Sequence, residues 1–386
     1  MRTYGDVTKW LLPAILVLVL IMLGALTTPP SGSGLSYNQA LERLSPAMSY
    51  DVGADPFIIV TEDVDGNGTA DLITANHGAG GISVLMGRGD GRFDSKVDFP
   101  TGTGTFGVAT ADFDGDGLPD IAITNELSNT LSMLFNGPNG FVSRSDIPTS
   151  GGPHVVAVAD FDMDSSMDVA IPNYHSGSVS VLLNQGDGTF HDRVDFPTHS
   201  HPFCAVAADL NADGAPDIAT TSYAEGYVDV LWNDGTGGFM TRTAIEVGSE
   251  LWSLAAADLN GDSLPELIAT RYSSGAVSVL ANQGGGSFAQ PRDYLAGQGG
   301  PCWATAVDID NDGDLDLAVV DGYAHNVTLL KNEGNGTFKD KAVFATSAGP
   351  SSIAAADFDS DGTMDLAIAT WESDEVNVLL NRQHMT

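Results

Sequence analysis

Apolar residues along this chain fall in short runs, separated by polar stretches rich in Gly, Asp and Asn. Residues 154–197 show the pattern once. HVVAVAD over 154–160 is one apolar run, and DVAIPN over 168–173 is a second. SVSVLLN over 178–184 alternates with period two, and a fourth run covers 190–196. Runs of this length, bounded by glycine-bearing turns, predict strands. The acidic stretch 160–168 joins the first strand to the second, and 174–177 joins the second to the third. The glycine turn 184–188 joins the third to the fourth. No stretch of the unit carries i, i+3, i+4 spacing long enough for a helix.

The unit recurs seven times. Its acidic cassette begins at Asp63, Asp112, Asp160, Asp209, Asp258, Asp308 and Asp357, at intervals of 49, 48, 49, 49, 50 and 49 residues. A fixed period of this size marks a repeat architecture. Four antiparallel strands in each of seven units predict an all-β chain, a seven-bladed β-propeller. The repeats lie near 54–102, 103–150, 151–199, 200–248, 249–298, 299–347 and 348–386. A nine-residue calcium β-helix has far too short a period, and the Trp-Asp mark of WD repeats is absent. Length alone suggests two or three domains, but the repeats assign 46–386 to one closed body. The last repeat has strands near 352–357, 365–370 and 375–381, then no fourth. The segment SPAMSYDVG over 45–53 aligns with the fourth strands of other repeats. A closing strand within 46–53 is therefore expected to complete the last blade, which protects the open edges.

The cassette carries its own chemistry. Positions 1, 3, 5 and 9 supply side-chain oxygens, and position 7 can add a carbonyl. The first loop offers Asp63, Asp65, Asn67 and Asp71, and the second Asp112, Asp114, Asp116 and Asp120. The third offers Asp160, Asp162, Asp164 and Asp168, and the fourth Asp209, Asn211, Asp213 and Asp217. The fifth offers Asp258, Asn260, Asp262 and Glu266. The sixth offers Asp308, Asp310, Asp312 and Asp316, and the seventh Asp357, Asp359, Asp361 and Asp365. Oxygen-only donor sets suit a hard cation, and calcium at up to seven sites is expected. Glycine at position 6 permits the sharp turn. The loops starting at Asp160 and Asp258 are expected to be weakest, because Ser165 and Ser263 replace that glycine and Glu266 ends the fifth loop. An EF-hand reading fails, since Ile123 stands where its bidentate Glu belongs. Asp-Gly turns also occur without metal, so metal binding is inferred from seven copies in register. With three or four carboxylates per loop and no His among them, the metal is expected to be structural.

Charge then takes on a different meaning. The formal net charge is −36, from 15 basic and 51 acidic residues, and 25 of the acidic residues are cassette ligands. Seven divalent ions would bring the charge to −22. The remaining acidity argues against nucleic acid and against anionic membrane surfaces. The two cysteines, Cys204 and Cys302, stand two repeats apart. A bridge is one reading, and two buried free thiols the preferred one. Residues 11–26, LLPAILVLVLIMLGAL, follow Arg2 and Lys9 and read as a signal peptide or an uncleaved signal anchor within 1–28. Either places the rest outside the cytoplasm, secreted or anchored, touching membrane only through that segment. Residues 29–45 read as a linker, with a short helix at 37–45 at best.

The stretch DFDGDGLPDIAITN at 112–125, with NQGDGTF at 184–190, resembles the FG-GAP/VCBS repeats of integrin alpha-chain heads and of bacterial secreted proteins. The resemblance covers about 46–386. It implies a calcium-bearing seven-bladed propeller used for adhesion, sugar binding or partner binding, with enzymes among some relatives. One departure matters. The family's Gly-Ala-Pro after the second strand becomes Thr-Asn-Glu, Pro-Asn-Tyr, Thr-Ser-Tyr and Thr-Arg-Tyr in copies two to five.

Two rings of aromatic positions face away from the cassettes. Six residues past each cassette stand His77, Glu126, Tyr174, Tyr223, Tyr272, Gly322 (with Tyr323 next) and Trp371. Six residues before each stand Phe57, Phe106, His154, Phe203, Trp252, Cys302 and Ser351. Ten of fourteen are aromatic or His, where chance would give one or two. The upstream ring reads as packing. The downstream ring, with Trp252, reads equally as packing or as a surface for a glycan or an extracellular or envelope protein. Arg88-Gly89-Asp90 occupies a hairpin turn, and a turn is its simplest reading. No enzyme signature is present. Glu126, Glu225, Glu372 and Asp374 could still supply a paired-carboxylate hydrolase or lyase site. A binding module is the expectation, as a monomeric propeller; a carbohydrate-active enzyme and an architectural envelope protein are the alternatives.

Overall fold

The computed structural model describes residues 44–141 and 143–382. The signal or anchor segment and residues 29–43 of the expected linker and helix lie outside the described residues. Seven four-stranded antiparallel sheets are present, each in chain order but one. Blade one comprises Pro56–Glu62, Asp71–Asn76, Gly81–Leu85 and Val97–Pro100. Blades two to six open with Thr105–Ala111, Ala157–Ala159, Pro202–Ala208, Leu251–Ala257 and Pro301–Val307. Blade seven holds Pro350–Ala356, Asp365–Thr370 and Glu375–Leu379, and Met48–Asp51 is its fourth strand. First strands of neighbouring blades pack side by side, and that of blade one packs on that of blade seven. The ring is closed, and the all-β seven-bladed propeller is the observed architecture.

Burial follows from that geometry. Every sheet has a blade on each face, so its inner strands read as continuous apolar runs. The second strands Asp71–Asn76, Asp120–Asn125 and Asp217–Ser222 are buried throughout. The fourth strands Ser143–Pro148 and Thr241–Glu246 are mostly exposed. The core therefore lies between blades, as where Phe113 and Leu131 meet Val169 and Leu182. Cys204 and Cys302 are buried free thiols. Burial pushes both up to about 12, which leaves them protonated and unreactive.

First strands depart from simple alternation. Six of them shift register near their start. Phe57, Phe106, Phe203, Trp252, Cys302 and Ser351 fall inside these bulges. A bulge re-aims the side chains it contains, which places the upstream ring at one end of the propeller. In blade three the ladder shortens to Ala157–Ala159 against the expected 154–160. There Val155 bridges sideways to Cys204 of the next blade.

Closure rests on the N-terminal strand. Met48 pairs with Val378 and Asp51 with Glu375. The contact begins earlier, with Leu44 opposite Asn381 and the Ser45 N–H donating to the Leu380 carbonyl at 2.7 Å. Deleting residues 44–51 leaves the Glu375–Leu379 edge unpaired. Limited proteolysis is expected to cut blade seven of that variant first, and its melting temperature to fall. A wild-type cleavage pattern and melting curve would contradict this role.

Candidate metal loops and the aromatic end

All seven acidic loops share one backbone conformation. Positions 4 and 6 are left-handed in each: φ is 70° and 86° at Gly66 and Gly68, and 62° and 76° at Met163 and Ser165. The position-1 carboxylate accepts two N–H groups, as Asp63 does from Asn67 at 3.0 Å and Gly68 at 2.7 Å. Position 5 accepts from the N–H two residues on in every loop, and position 3 does so in loops one, two, four and five. The Asp116 N–H donates to Asp114 at 3.2 Å and that of Leu118 to Asp116 at 2.9 Å. These Asx turns wind the ligand side chains about one centre. Carboxylate oxygens come within 4.8 Å of one another in five loops. The sets are Asp63, Asp65 and Asp71; Asp112, Asp114 and Asp120; Asp160, Asp162 and Asp168; Asp308, Asp310 and Asp312; and Asp357, Asp359 and Asp361. In the other two loops an amide takes position 3. Asn211 donates to Asp213 at 2.9 Å, and Asn260 to Glu266 at 3.0 Å.

The position-9 carboxylate is fully buried in every blade. In blade three, Asp168 Oδ2 accepts the Phe161 N–H and Oδ1 the Asn184 N–H, both at 2.7 Å. The loop is thereby tied to the end of the third strand. Glu266 fills the same slot despite its extra methylene, accepting from Leu259 at 2.9 Å. Burial pushes these groups up: Asp71 and Asp120 to about 6, Asp168, Asp217 and Asp365 to about 7, and Asp316 to about 8. Several buried oxygens have no hydrogen-bond partner. They are Asp162 Oδ1, Asp310 Oδ1, Asp316 Oδ2 and Asp359 Oδ1. Crowded, partly desolvated carboxylates with unused oxygens fit a hard divalent cation, which would satisfy the oxygens and offset the charge. Loop six differs. The ammonium of Lys331 reaches Asp310 and lies 2.7 Å from Asp312. The matching positions elsewhere are Met86, Phe135, Leu183, Trp232, Ala281 and Leu380.

The residue after that position ties blade to blade. Asn184 Nδ2 donates to the Phe113 carbonyl of the preceding loop at 2.8 Å and to the Met167 carbonyl of its own at 3.1 Å. Asn136, Asn233, Asn282 and Asn332 make the same pair of bonds. Asn381 makes the inter-blade bond, to the Ile309 carbonyl at 2.8 Å. Blade one has Gly87 there, where a Cβ would stand 2.2 Å from the Ala70 carbonyl oxygen. The Gly91 N–H, 2.9 Å from the Phe358 carbonyl, serves that interface instead.

At the opposite end the two aromatic rings merge into one chain of contacts. Phe106 stacks on His154 at 4.2 Å and His154 on Tyr174 at 4.8 Å. Tyr174 lies 6.5 Å from Tyr223, Tyr223 5.8 Å from Trp252, and Trp252 stacks on Tyr272 at 4.9 Å. Tyr323, 69% exposed, follows at 5.3 Å from Tyr272. His77 begins the chain, 5.6 Å from Phe57. Trp371 is exposed on blade seven and takes no part in these contacts. Glu126 lies among imidazoles, 3.1 Å from His77. His154 and His77 hold its carboxyl well below the usual range. Burial pushes His154 itself down. Glu225 is held by Ser200, and Asp374 accepts the Asp55 N–H at 2.8 Å, so the three carboxylates have separate partners. Arg88 bonds to Asp94 across its turn at 2.6 Å. The Asn of the departing segments after strand two is structural, since Asn125 and Asn173 donate to Ser132 and Ser180 at 2.9 and 2.8 Å inside the sheets.

Acidic loops on the first turn of every four-stranded blade define a propeller of acidic-loop repeats. The sequence matches the FG-GAP-like repeat family over residues 63–123, 112–171, 168–220, 209–269, 258–319 and 308–368, and the chain belongs to that family. No curated protein sequence matches it significantly. Among solved structures it is similar to BBS1N in complex with ARL6DN, at 11% identity and TM-score 0.65, covering 89% of this chain and 98% of that one. A catalytically inactive virginiamycin B lyase from Staphylococcus aureus with quinupristin gives 14% identity and TM-score 0.59, covering 87% and 98%. An Agrocybe aegerita lectin recognising non-reducing terminal N-acetylglucosamine gives 17% and 0.56, covering 85% and 96%. These likenesses show the fold alone.

Two outcomes are expected of the loops. Ser165→Gly relieves a left-handed serine and should stabilise the chain by about 0.5–1 kcal/mol, net of unfolded-state entropy; a lower melting temperature would contradict this. The second concerns pH. The raised position-9 carboxyls bind protons more tightly folded than unfolded. The chelated chain should therefore lose stability as pH rises from about 5 to about 8. Melting in chelator at both pH values checks the sign, and a higher melting temperature at the alkaline end would overturn it.

Proposed function

We propose that this chain is an extracytoplasmic, calcium-bearing propeller that binds a glycan or a surface protein through its aromatic end. The observation that carries the reading is the continuous chain of rings from His77 to Tyr323. Tyr174, Tyr223, Trp252 and Tyr272 in it are all part-exposed. Flat apolar faces with polar tips suit sugar rings and protein hot spots. Solved propellers of similar fold include a lectin and a protein complex, so the scaffold serves both kinds of partner. The apolar segment 11–26 supports export, and calcium-rich extracellular fluid would fill even weak loops. In this reading the sixth loop joins those at Asp160 and Asp258 as a weak calcium site, since the Lys331 ammonium already compensates Asp310 and Asp312. A second reading, a carbohydrate-active enzyme at the same end, draws on the Glu126 carboxylate held among imidazoles.

The test is a glycan array probed with the full chain in calcium. Binding to a defined sugar is expected, and a Tyr223→Ala, Tyr272→Ala variant should lose it while keeping its melting temperature. Binding retained by that variant would move the site elsewhere. A blank array with folded protein would remove the glycan half of the proposal.

A further inference from the structure

The fourteen segments at the aromatic end, seven joining second to third strands and seven leading into first strands, hold no lysine or arginine. They carry six carboxylates: Asp55, Glu126, Glu225, Glu250, Glu372 and Asp374. Arg271, which precedes Tyr272, is tied to Asp293 at 2.6 Å. The rings of this end therefore stand in a negative setting. Glu250 sits within the chain of rings itself. Its N–H donates to the Tyr223 carbonyl at 2.8 Å, and its carbonyl accepts the Tyr272 N–H at 3.0 Å. Glu225 lies two residues past Tyr223. Each of these two spends one oxygen on a serine, Glu225 Oε1 on Ser200 and Glu250 Oε2 on Ser273, and keeps the other.

Negative charge alone marks no site, but two further features point to a ligand. The rings of Tyr174, Tyr223, Trp252 and Tyr272 are part-exposed and Tyr323 is exposed, so apolar faces are open to solvent beside the carboxylates. His154 is 5% exposed and stacks between Phe106 and Tyr174, yet neither ring nitrogen has a hydrogen-bond partner. Its Nε2 faces Glu126 Oε1 at 3.6 Å, and Nε2 of the exposed His175 faces the same oxygen at 3.8 Å. An N–H donor arriving beside Tyr174 meets a carboxylate and imidazole lone pairs there. An ammonium group is drawn both to ring faces, through their negative quadrupole, and to carboxylates. An anion is repelled by both, and by the net charge of −36. We propose that the aromatic end selects glycans bearing free amino groups, held as ammonium, over neutral and acidic glycans. This selection rests on the glycan reading of that end. Sugar faces lie on the rings, and ammonium groups meet Glu126, Glu225 and Glu250. The rings form an apolar track that suits successive sugar rings; a lysine-rich peptide supplies the charge without the flat faces.

The test compares three sets of glycans against the full chain in calcium: glucosamine oligomers with free amines, the same oligomers N-acetylated, and sialylated or uronate-bearing chains. One exposed ion pair contributes up to about fivefold and several act together here, so the free-amine set should bind about tenfold more tightly than the acetylated set. The acidic set should not bind. Salt at about 1 M, which screens charges beyond about 3 Å, should narrow the gap between the first two sets. A Glu225→Gln, Glu250→Gln variant should narrow it in the same way, and its melting temperature reports whether the fold is kept. Equal binding of the free-amine and acetylated sets, or a preference for the acidic set, would overturn the selection and leave the glycan reading standing. Failure of all three sets would remove that reading and the selection with it, and a lysine-rich peptide bound in their place would give the charge a protein partner instead.

Discussion

Each blade buries a carboxylate at the start of its second strand, and the ring is organised around that group. In six blades one oxygen takes the N–H at position 2 of the acidic loop and the other the N–H at the end of the third strand, as at Asp168, whereas in blade six Asp316 Oδ2 is left without a partner. A buried carboxylate costs free energy unless bonded and compensated. The bonds supply the first requirement, and a cation held by the loop, as proposed, would supply the second. Because the loop is held in one shape, its position-2 carbonyl can accept the Asn of the next blade, as Phe113 accepts from Asn184. Acidic loop and blade interface are thus one device, repeated around the propeller.

Where the repeat breaks, other contacts take over. Blade one lacks the Asn, and backbone crowding at Gly87 bars any side chain there. That interface instead uses the Gly91 N–H and the packing of Phe93 on Phe358 and Tyr50. Tyr50 belongs to the closing strand, so the N-terminal strand both completes blade seven and buttresses this junction. Loop six shows another departure: the Lys331 ammonium provides positive charge from within the chain. The two ends of the propeller then divide their chemistry, oxygen donors at one and rings with imidazoles at the other.

Much of this was legible in the sequence, for physical reasons. A 49-residue period with apolar runs fixes blade number and strand order, and SPAMSYDVG showed its kinship to the fourth strands. The positions of the acidic side chains were legible because an Asx spiral must recur at fixed spacing. The second left-handed position was missed, because Met163, Ala212, Asn311 and Ser360 conceal it where glycine would announce it. The first-strand bulges were also missed, since a register shift leaves no mark on an apolar run. Equivalent positions in adjacent blades meet, so His77, Glu126 and His154 could be placed at one end. His175, adjacent to Tyr174, carried no periodic signal and emerged only from the geometry.

The most direct measurement is native mass spectrometry of the full chain in calcium and after chelation, with melting followed in parallel. The account predicts five to seven ions, matching the five carboxylate clusters and the two amide-bearing loops, and a lower melting temperature once they are removed. A chain that retains no calcium and melts at the same temperature in both conditions would contradict it.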